Sequence, residues 1–210
     1  MITIINYGSG NIRAIGNIYE RLKIPFKIAD HPDEVKGSQK IILPGVGAFD
    51  ETISMLDVSG FRSVLDYEVL TNKIPVLGIC VGMQILAKKS DEGSLPGLGW
   101  IKGEVKKIDV NMLIAKPKIP HLGWNSVKIA KTNRLFQDID EEQGFYFLHS
   151  YYFECDDQED IMSTTFYGKN FASSVNHKNI YGVQFHPEKS HQNGVNLLKN
   201  FANILCLDPG

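Results

Sequence analysis

Cysteine is scarce in this chain: Cys80, Cys155 and Cys206 are odd in number and far apart. That distribution argues against a disulfide framework and against a zinc site. It leaves a thiol free for other use in a reducing compartment, and the cytoplasm is the simplest expectation. Charge of either sign is never concentrated. The 22 Lys and Arg stand against 24 Asp and Glu, a net charge of −2, with no block of like charge. The electrostatic footprint of a nucleic-acid binder is therefore missing. No apolar run approaches the length of a membrane span, and the opening Met-Ile-Thr-Ile-Ile-Asn has neither the basic start nor the long apolar core of a signal peptide. Repeats, low-complexity tracts and linkers are absent as well. The rest is ordinary for a globular protein: 43% hydrophobic and 22% charged residues over 210 positions, enough for one domain spanning 1–210 with a proper core.

Periodicity alternates in the first half. Ile2–Ile5 is a β-branched run, Tyr7-Gly-Ser-Gly-Asn11 a glycine turn, and Ile12, Ile15, Ile18, Tyr19 and Leu22 mark one face of a helix. Gly8-x-Gly10 invites a dinucleotide reading, but Arg13 stands where the third glycine belongs, so the fingerprint fails. Lys27–Ala29 and Lys40–Pro44 read as further strands, Thr52–Leu56 and Phe61–Leu70 as helices, and Val76–Ile79 as a buried strand before a helical segment from Met83 to Lys88. Strands alternating with helices predict parallel βαβ units with right-handed crossovers. Beyond the Met83–Lys88 helix the segments become short and strand-like: 103–108, 126–129, 145–148, 151–154, 162–166 and 172–176, joined by turns such as Gly168-Lys-Asn170. They predict an antiparallel elaboration. A last buried strand, 180–185, precedes a helix carrying Val195, Leu198, Phe201 and Leu205. The fold class expected is α/β, a three-layer αβα sandwich around a mostly parallel sheet of flavodoxin type, with antiparallel strands added.

Three motifs carry chemistry. Gly78-Ile-Cys80-Val-Gly82 at a strand-to-helix junction is the cysteine form of a nucleophile elbow. A side chain at Gly78 or Gly82 would collide with neighbouring backbone there, and the cysteine is held in a strained turn. The bland alternative is an inert core cysteine at a strand end. Pro44-Gly-Val-Gly47 closes another strand, and its glycines free backbone N–H groups to face a ligand; it is otherwise simply a turn. In an open parallel sheet ligands bind beyond the carboxyl ends of the strands, where both turns would lie. His186-Pro-Glu188 supplies a base suited to neutral pH and, two residues on along an extended segment, a carboxylate able to fix its tautomer. Taken alone it is a loop His and Glu; with Cys80 it makes nucleophile, base and orienter. A metal site using His186 and His191 lacks a third ligand.

Gly78-Ile-Cys-Val-Gly-Met-Gln84, Pro44-Gly-Val-Gly47 and His186-Pro-Glu188 together resemble the triad-type glutamine amidotransferases. More narrowly, Tyr7-Gly-Ser-Gly-Asn11, Pro120-His-Leu-Gly-Trp-Asn125, Phe147-Leu-His-Ser-Tyr151 and Gln184-Phe-His-Pro-Glu-Lys-Ser190 resemble the glutaminase subunits of imidazole glycerol phosphate synthase. The resemblance runs from the first strand to the last helix. It implies that Cys80 attacks the side-chain amide of glutamine to form a thioester and release ammonia, that His186 shuttles the protons, and that Glu188 orients it. It implies an oxyanion hole from the N–H groups of Val81 and, after a peptide reorientation, Val46. Gly45, Gly47, Gln84, His149, Ser150 and Tyr151 match positions around the glutamine; His149 taken alone is also a core histidine. No cofactor is implied. The partner implied is a (β/α)₈-barrel synthase subunit in a heterodimer, receiving ammonia directly, with Asn11, Pro120, Leu122, Trp124, Asn125 and Lys189 at interface and gating positions.

Three positions depart from the family pattern: Asn6 replaces the usual Asp, Leu122 the usual Met, and the glycine that often follows Phe49 is absent. None touches the triad. They bear on the partner, because a similar group of glutaminases feeds a sugar amidotransferase in surface-polysaccharide synthesis. A stand-alone elbow-cysteine hydrolase, or a binding subunit without activity, are the readings from other classes; an exposed apolar patch around Trp124 would count against the first, and an intact Cys80, His186 and Glu188 against the second.

Overall fold

The computed structural model describes residues 1–112 and 118–205; Cys206 lies outside them. In chain order the elements are β1 (Ile2–Ile5), α1 (Ile12–Arg21), β2 (Phe26–Ala29), β3 (Lys40–Gly45), α2 (Phe49–Val58), α3 (Phe61–Asp66), β4 (Val76–Cys80), α4 (Val81–Gln84), β5 (Gly103–Lys107), β6 (His121–Asn125), β7 (Lys128–Ile129), β8 (Phe145–His149), β9 (Tyr151–Cys155), β10 (Ile161–Tyr167), β11 (Lys169–His177), β12 (Ile180–Val183) and α5 (His191–Ala202).

Among the described residues a ten-stranded sheet runs β2-β1-β3-β4-β12-β11-β10-β7, with β5 and β9 attached through β11. The half from β2 to β12 is parallel, and from β11 onward the pairing turns antiparallel. Strands β1, β3 and β4 are apolar and almost wholly buried, as strands covered on both faces must be. The chain moves from β1 to β2 in one direction and from β3 to β4 in the other. Right-handed crossovers then put α1 on one face and α2 with α3 on the other. Helix α5 joins α1, where the Tyr19 hydroxyl donates to the Leu198 carbonyl at 3.1 Å. The three-layer expectation holds, and the reversal of strand order beside β1 and β3 makes a crevice at their carboxyl ends. No helix among the described residues is long and apolar enough to cross a membrane.

The differences from the sequence reading are local. The helix expected over Met83–Lys88 occupies only Val81–Gln84, because the N–H groups of Gly97, Leu98, Gly99 and Ile101 take the carbonyls of Lys88, Ile85, Ala87 and Leu86. The buried apolar run 85–87 thus leaves the helix as a turn. Helix α3 stops at Asp66 and continues as a π-turn through Thr71. The strand expected at Ser126 shrinks to Lys128–Ile129. Helix α5 ends at Ala202, so Leu205 lies beyond it and is 69% exposed. Strand β6 was not expected, since its apolar residues Leu122 and Trp124 are the exposed ones; it pairs with β8 as a separate two-stranded sheet, Leu122 opposite Leu148 and Trp124 opposite Tyr146.

Candidate active site

Cys80 ends β4 with φ 56° and ψ −114°, a conformation that costs a non-glycine residue about 1–3 kcal/mol unless its surroundings enforce it. They do. A Cβ on Gly82 would overlap the Leu43 carbonyl, one on Gly78 the Gly82 carbonyl, and one on Gly45 the Gly82 amide. The elbow is thus pressed against the end of β3, and only hydrogen fits at those three positions. Gly45 serves this packing and does not line the cavity beside it, which departs from the glutamine-binding role its motif implied.

His186 follows β12 and Phe185, anchored by its N–H donating to the Tyr146 carbonyl at 2.9 Å. Pro187 opens a 3-10 turn, so Glu188 does not continue an extended segment as the sequence suggested; the turn folds it back onto the ring. Its Oε1 stands 2.9 Å from His186 Nδ1 and accepts from Asn11 Nδ2 at 2.7 Å. The Cys80 sulfur lies on the same cavity wall and acts on the charge of the ring. Both side chains are nearly sealed, 3% and 1% exposed. Burial alone would hold the imidazole neutral, but Cys80 and Glu188 outweigh it and lift its pKa to about 10. Burial likewise opposes the Glu188 charge, and His186 and then Asn11 hold the carboxyl below its ordinary range. Asn11, which the resemblance placed at an interface, thus has its side-chain amide committed to this carboxylate.

A cavity of about 430 Å³ opens over Cys80. Of the residues singled out from sequence, it brings together Asn11, Val46, Gly47, Val81, Gln84, Pro120, His149, Ser150, Tyr151, His186 and Lys189; Leu148 and Glu92 complete the wall. The Val46 N–H donates to Ser9 Oγ at 2.9 Å, and the same hydroxyl donates to the Val46 carbonyl at 2.9 Å. Val46 is therefore clasped by the Tyr7–Asn11 turn through both its N–H and its carbonyl. Gln84 donates Nε2 to the Tyr151 carbonyl at 3.0 Å and to Gln184 Oε1 at 3.0 Å. His149 is buried, its Nδ1 2.7 Å from the Tyr151 carbonyl and its Nε2 2.9 Å from His121 Nδ1. Burial pushes its pKa down to about 3, with the neighbouring His121 adding to the effect.

Strand β6 has two faces. His121 and Asn125 turn inward, and the Asn125 amide is committed to His121 Nε2 and the Phe166 carbonyl at 3.1 and 3.0 Å. Leu122 and Trp124 turn outward, 60% and 44% exposed, beside Leu148 at 38%. The Trp124 ring stacks on His191 at 5.1 Å, and Lys189 Nζ sits 5.6 Å over the Tyr146 ring. An apolar patch thus borders the cavity mouth, where Pro120 and Leu148 belong to both.

Residues 3–205 match the family model of the class-I glutamine amidotransferases. The chain belongs to that family. Among curated class-I relatives it is 49% identical over 204 residues to the imidazole glycerol phosphate synthase subunit HisH of Leptospira borgpetersenii, covering 97% of this chain and all of that one. It is 50% identical over 204 residues to the subunit of the same name from Bdellovibrio bacteriovorus, again 97% and 100%. Among solved structures, a glutamine amidotransferase of Thermotoga maritima superposes with a TM-score of 0.65 at 18% identity, over 99% of this chain and 86% of that one; at that identity it supports the amidotransferase fold alone. Sequence reasoning did not single out Ser9, His121, Glu92 or Gln184 as site residues. Ser9 lay inside a quoted turn, and His121 and Gln184 inside quoted motifs; nothing local marked Glu92.

Proposed function

We propose that this chain is the glutaminase subunit of an imidazole glycerol phosphate synthase, acting in histidine biosynthesis, and that Cys80, His186 and Glu188 carry its chemistry. The observation behind this is that Glu188 hydrogen-bonds the ring of His186, and that this buried pair stands beside Cys80 at the floor of a cavity, with the sulfur on a glycine-enforced elbow. The full-length match to relatives at 49% and 50% identity supports the pathway, and the sugar-amidotransferase assignment is not favoured.

The sulfur, as thiolate, attacks the side-chain carbonyl carbon of glutamine. The tetrahedral oxyanion is met by the N–H of Val81 and, once the clasp of Ser9 is released, by that of Val46; one such donor contributes about 3–4 kcal/mol to transition-state stabilisation. Imidazolium at His186 gives its proton to the departing nitrogen, the C–N bond breaks, and ammonia leaves a thioester. His186 then takes a proton from water, which attacks the thioester and returns the thiolate with glutamate as product. Glu188 holds the Nδ1 proton and leaves Nε2 for both transfers. Both Nε2 protons of Gln84 are committed, so Oε1 is the atom it offers to the substrate's ammonium, while Ser150 and Tyr151 face the other end. Ammonia passes to a (β/α)₈-barrel subunit docked on the patch of Leu122 and Trp124, in the cytoplasm, where the thiol stays reduced.

The test is glutamate release from glutamine by the protein alone and with the barrel subunit and its ribulosyl ligand. The expected result is low activity alone and strong stimulation by the liganded barrel. No stimulation, from a Cys80 that still reacts with a glutamine-like affinity label, would overturn the pathway.

A further inference from the structure

Cys80 has a polar neighbour that the triad chemistry leaves unused. Gln184 follows β12, is fully buried, and places Nε2 3.8 Å from Cys80 Sγ. A side-chain amide has a donating and an accepting end, and which end faces a sulfur decides its effect. The surroundings fix it. The Tyr151 carbonyl only accepts, so the Gln84 atom 3.0 Å from it is the NH₂ group. That same nitrogen lies 3.0 Å from Gln184, whose end there must be the oxygen. The NH₂ of Gln184 is therefore turned to the sulfur.

The Tyr151 carbonyl is itself held from the other side. His149 Nδ1 donates to it, His121 Nδ1 donates to His149 Nε2, and Asn125 donates to His121 Nε2. The Asn125 NH₂ is fixed in turn by the Phe166 carbonyl, and because the carbonyls at both ends of the row only accept, each imidazole is neutral in a single tautomer and each hydrogen bond has one possible direction. Two rows of donors thus meet at one carbonyl, and the Gln84 row ends at Cys80.

We propose that Gln184 is a catalytic residue of this site: it donates a hydrogen bond to the Cys80 sulfur, stabilises the thiolate over the thiol, and is kept in the donating orientation by Gln84. This rests on Cys80 being the nucleophile. A hydrogen bond to an ion is about twice as strong as one between neutral groups, and the thiol form instead has the Leu148 carbonyl as an acceptor at 3.9 Å. His186 passes its proton to ammonia and regains one from water, whereas an amide keeps its protons throughout. Gln184 thereby supports the sulfur both when it attacks and when it leaves the second tetrahedral intermediate. The ionisable groups around the sulfur are His186 backed by Glu188, Tyr7 from the turn after β1, and His149 on the facing wall; Glu92 and Lys189 line the same cavity.

The experiment is alkylation of Cys80 by iodoacetamide between pH 6 and 9.5, with the Cys80→Ala variant as background for the other cysteines and circular dichroism as the check of folding. Gln184→Met removes the donor at similar volume; alkylation is expected to slow about tenfold on the rising limb of the pH profile, which moves to higher pH, because thiolate fraction sets the rate. Gln184→Glu puts an acceptor against the sulfur and is expected to react more slowly still at pH 7. With glutamine, kcat falls in Gln184→Met while KM holds. A folded Gln184→Met whose pH profile superimposes on the parent overturns the proposal. Should the Gln184 variants fail to fold, Gln84→Met, which releases the amide, is expected to move the profile the same way by less, and an unmoved profile there overturns it equally. A parent thiol no more reactive than the background would remove Cys80 as the nucleophile, a different failure.

Discussion

His186 and His149 line the same cavity and are almost equally buried, 2% and 5% exposed, yet they are held in opposite charge states. Burial penalises a charged imidazole in both cases. The difference lies in what each half of the molecule brings to the ring. His186 stands among the parallel strands' carboxyl ends, where the β4 elbow offers a sulfur and the turn after β12 a carboxylate backed by Asn11; its pKa rises to about 10. His149 belongs to the β6–β8 ribbon, which offers a carbonyl and another neutral ring, and its pKa falls to about 3. One wall is built to carry charge and the other to hold shape. Partners, and not depth, assign the roles.

The harshest way to break the comparison is to remove the sulfur. Cys80→Ala is expected to lower glutamine-dependent product formation by about 10⁴-fold or more, as loss of a nucleophile from a triad does, while synthesis from added ammonia by the complex is spared; retained glutamine-dependent turnover would end the scheme. Glu188→Gln leaves the sulfur but takes the carboxylate, with an expected loss of up to about 10⁴-fold in kcat from misdirected tautomers. Its sign in stability is equally definite. A raised His186 pKa stabilises the fold below the ordinary value of 6.5, and that contribution is lost as pH rises through about 10. The fall in Tm between pH 7 and 10 should be shallower in Glu188→Gln than in the parent.

The ribbon is tested at its two faces. Outward, Trp124→Ala is expected to weaken association with the barrel subunit by about 2 kcal/mol, since a half-exposed rigid aromatic is a common interface anchor; an unchanged titration would move the docking surface elsewhere. Inward, His121→Phe keeps the aromatic stack with Phe147 and Tyr167, at 4.7 and 4.1 Å, but deletes the hydrogen bonds to His149 and Asn125. The expected cost at pH 7 is about 1–2 kcal/mol. Its signature is in acid. His121 and His149, with pKa values pushed down by burial to about 4 and about 3, stabilise the fold above 6.5 and lose that contribution as pH falls. The acid decline in Tm should be shallower in His121→Phe; an identical decline would mean that the rings are not held neutral by this row.

The same division explains what could be read from sequence. The parallel half writes itself locally: β-branched runs, helical spacing after Tyr7–Asn11, and Gly-x-Cys-x-Gly all lie within a few residues, and the steric demand at Gly78 and Gly82 follows from the motif. His186 and Glu188 were legible because only one residue separates them. The ribbon was not, because its logic is pairing across distance. Strand β6 has Leu122 and Trp124 outward and polar His121 and Asn125 inward, the reverse of a half-buried strand's usual pattern, and that inversion makes sense only with His149 and the Phe166 carbonyl in place. Asn11 meets Glu188 across 177 residues, and Gln184 meets Cys80 across 104; no local window contains either contact. The short α4 fails for the same reason, since residues 97–101 supply the donors that end it.

The smallest effect concerns the two N–H groups proposed to face the oxyanion, which differ as the two histidines do. Val81 opens α4, is 5% exposed, and is fixed by the glycine contacts of the elbow; Val46 sits in an open turn, 40% exposed, and is held by one serine hydroxyl. The first donor is therefore permanent and the second conditional. A single neutral hydrogen bond is worth about 0.5–1.5 kcal/mol net, which bounds what releasing it can do. Ser9→Ala removes the acceptor of the Val46 N–H, so glutamate release by the protein without its partner should rise by roughly two- to tenfold, and stimulation by the liganded barrel should shrink by the same factor, because part of the work of activation has been done in advance. The ratio of stimulated to basal rates is the decisive readout: it separates a released clasp from a general gain or loss of activity, which would move both rates together. A basal rate that falls in Ser9→Ala, with the stimulated rate falling alongside, would make the hydroxyl a support of the working turn, and Val46 would then be as fixed as Val81.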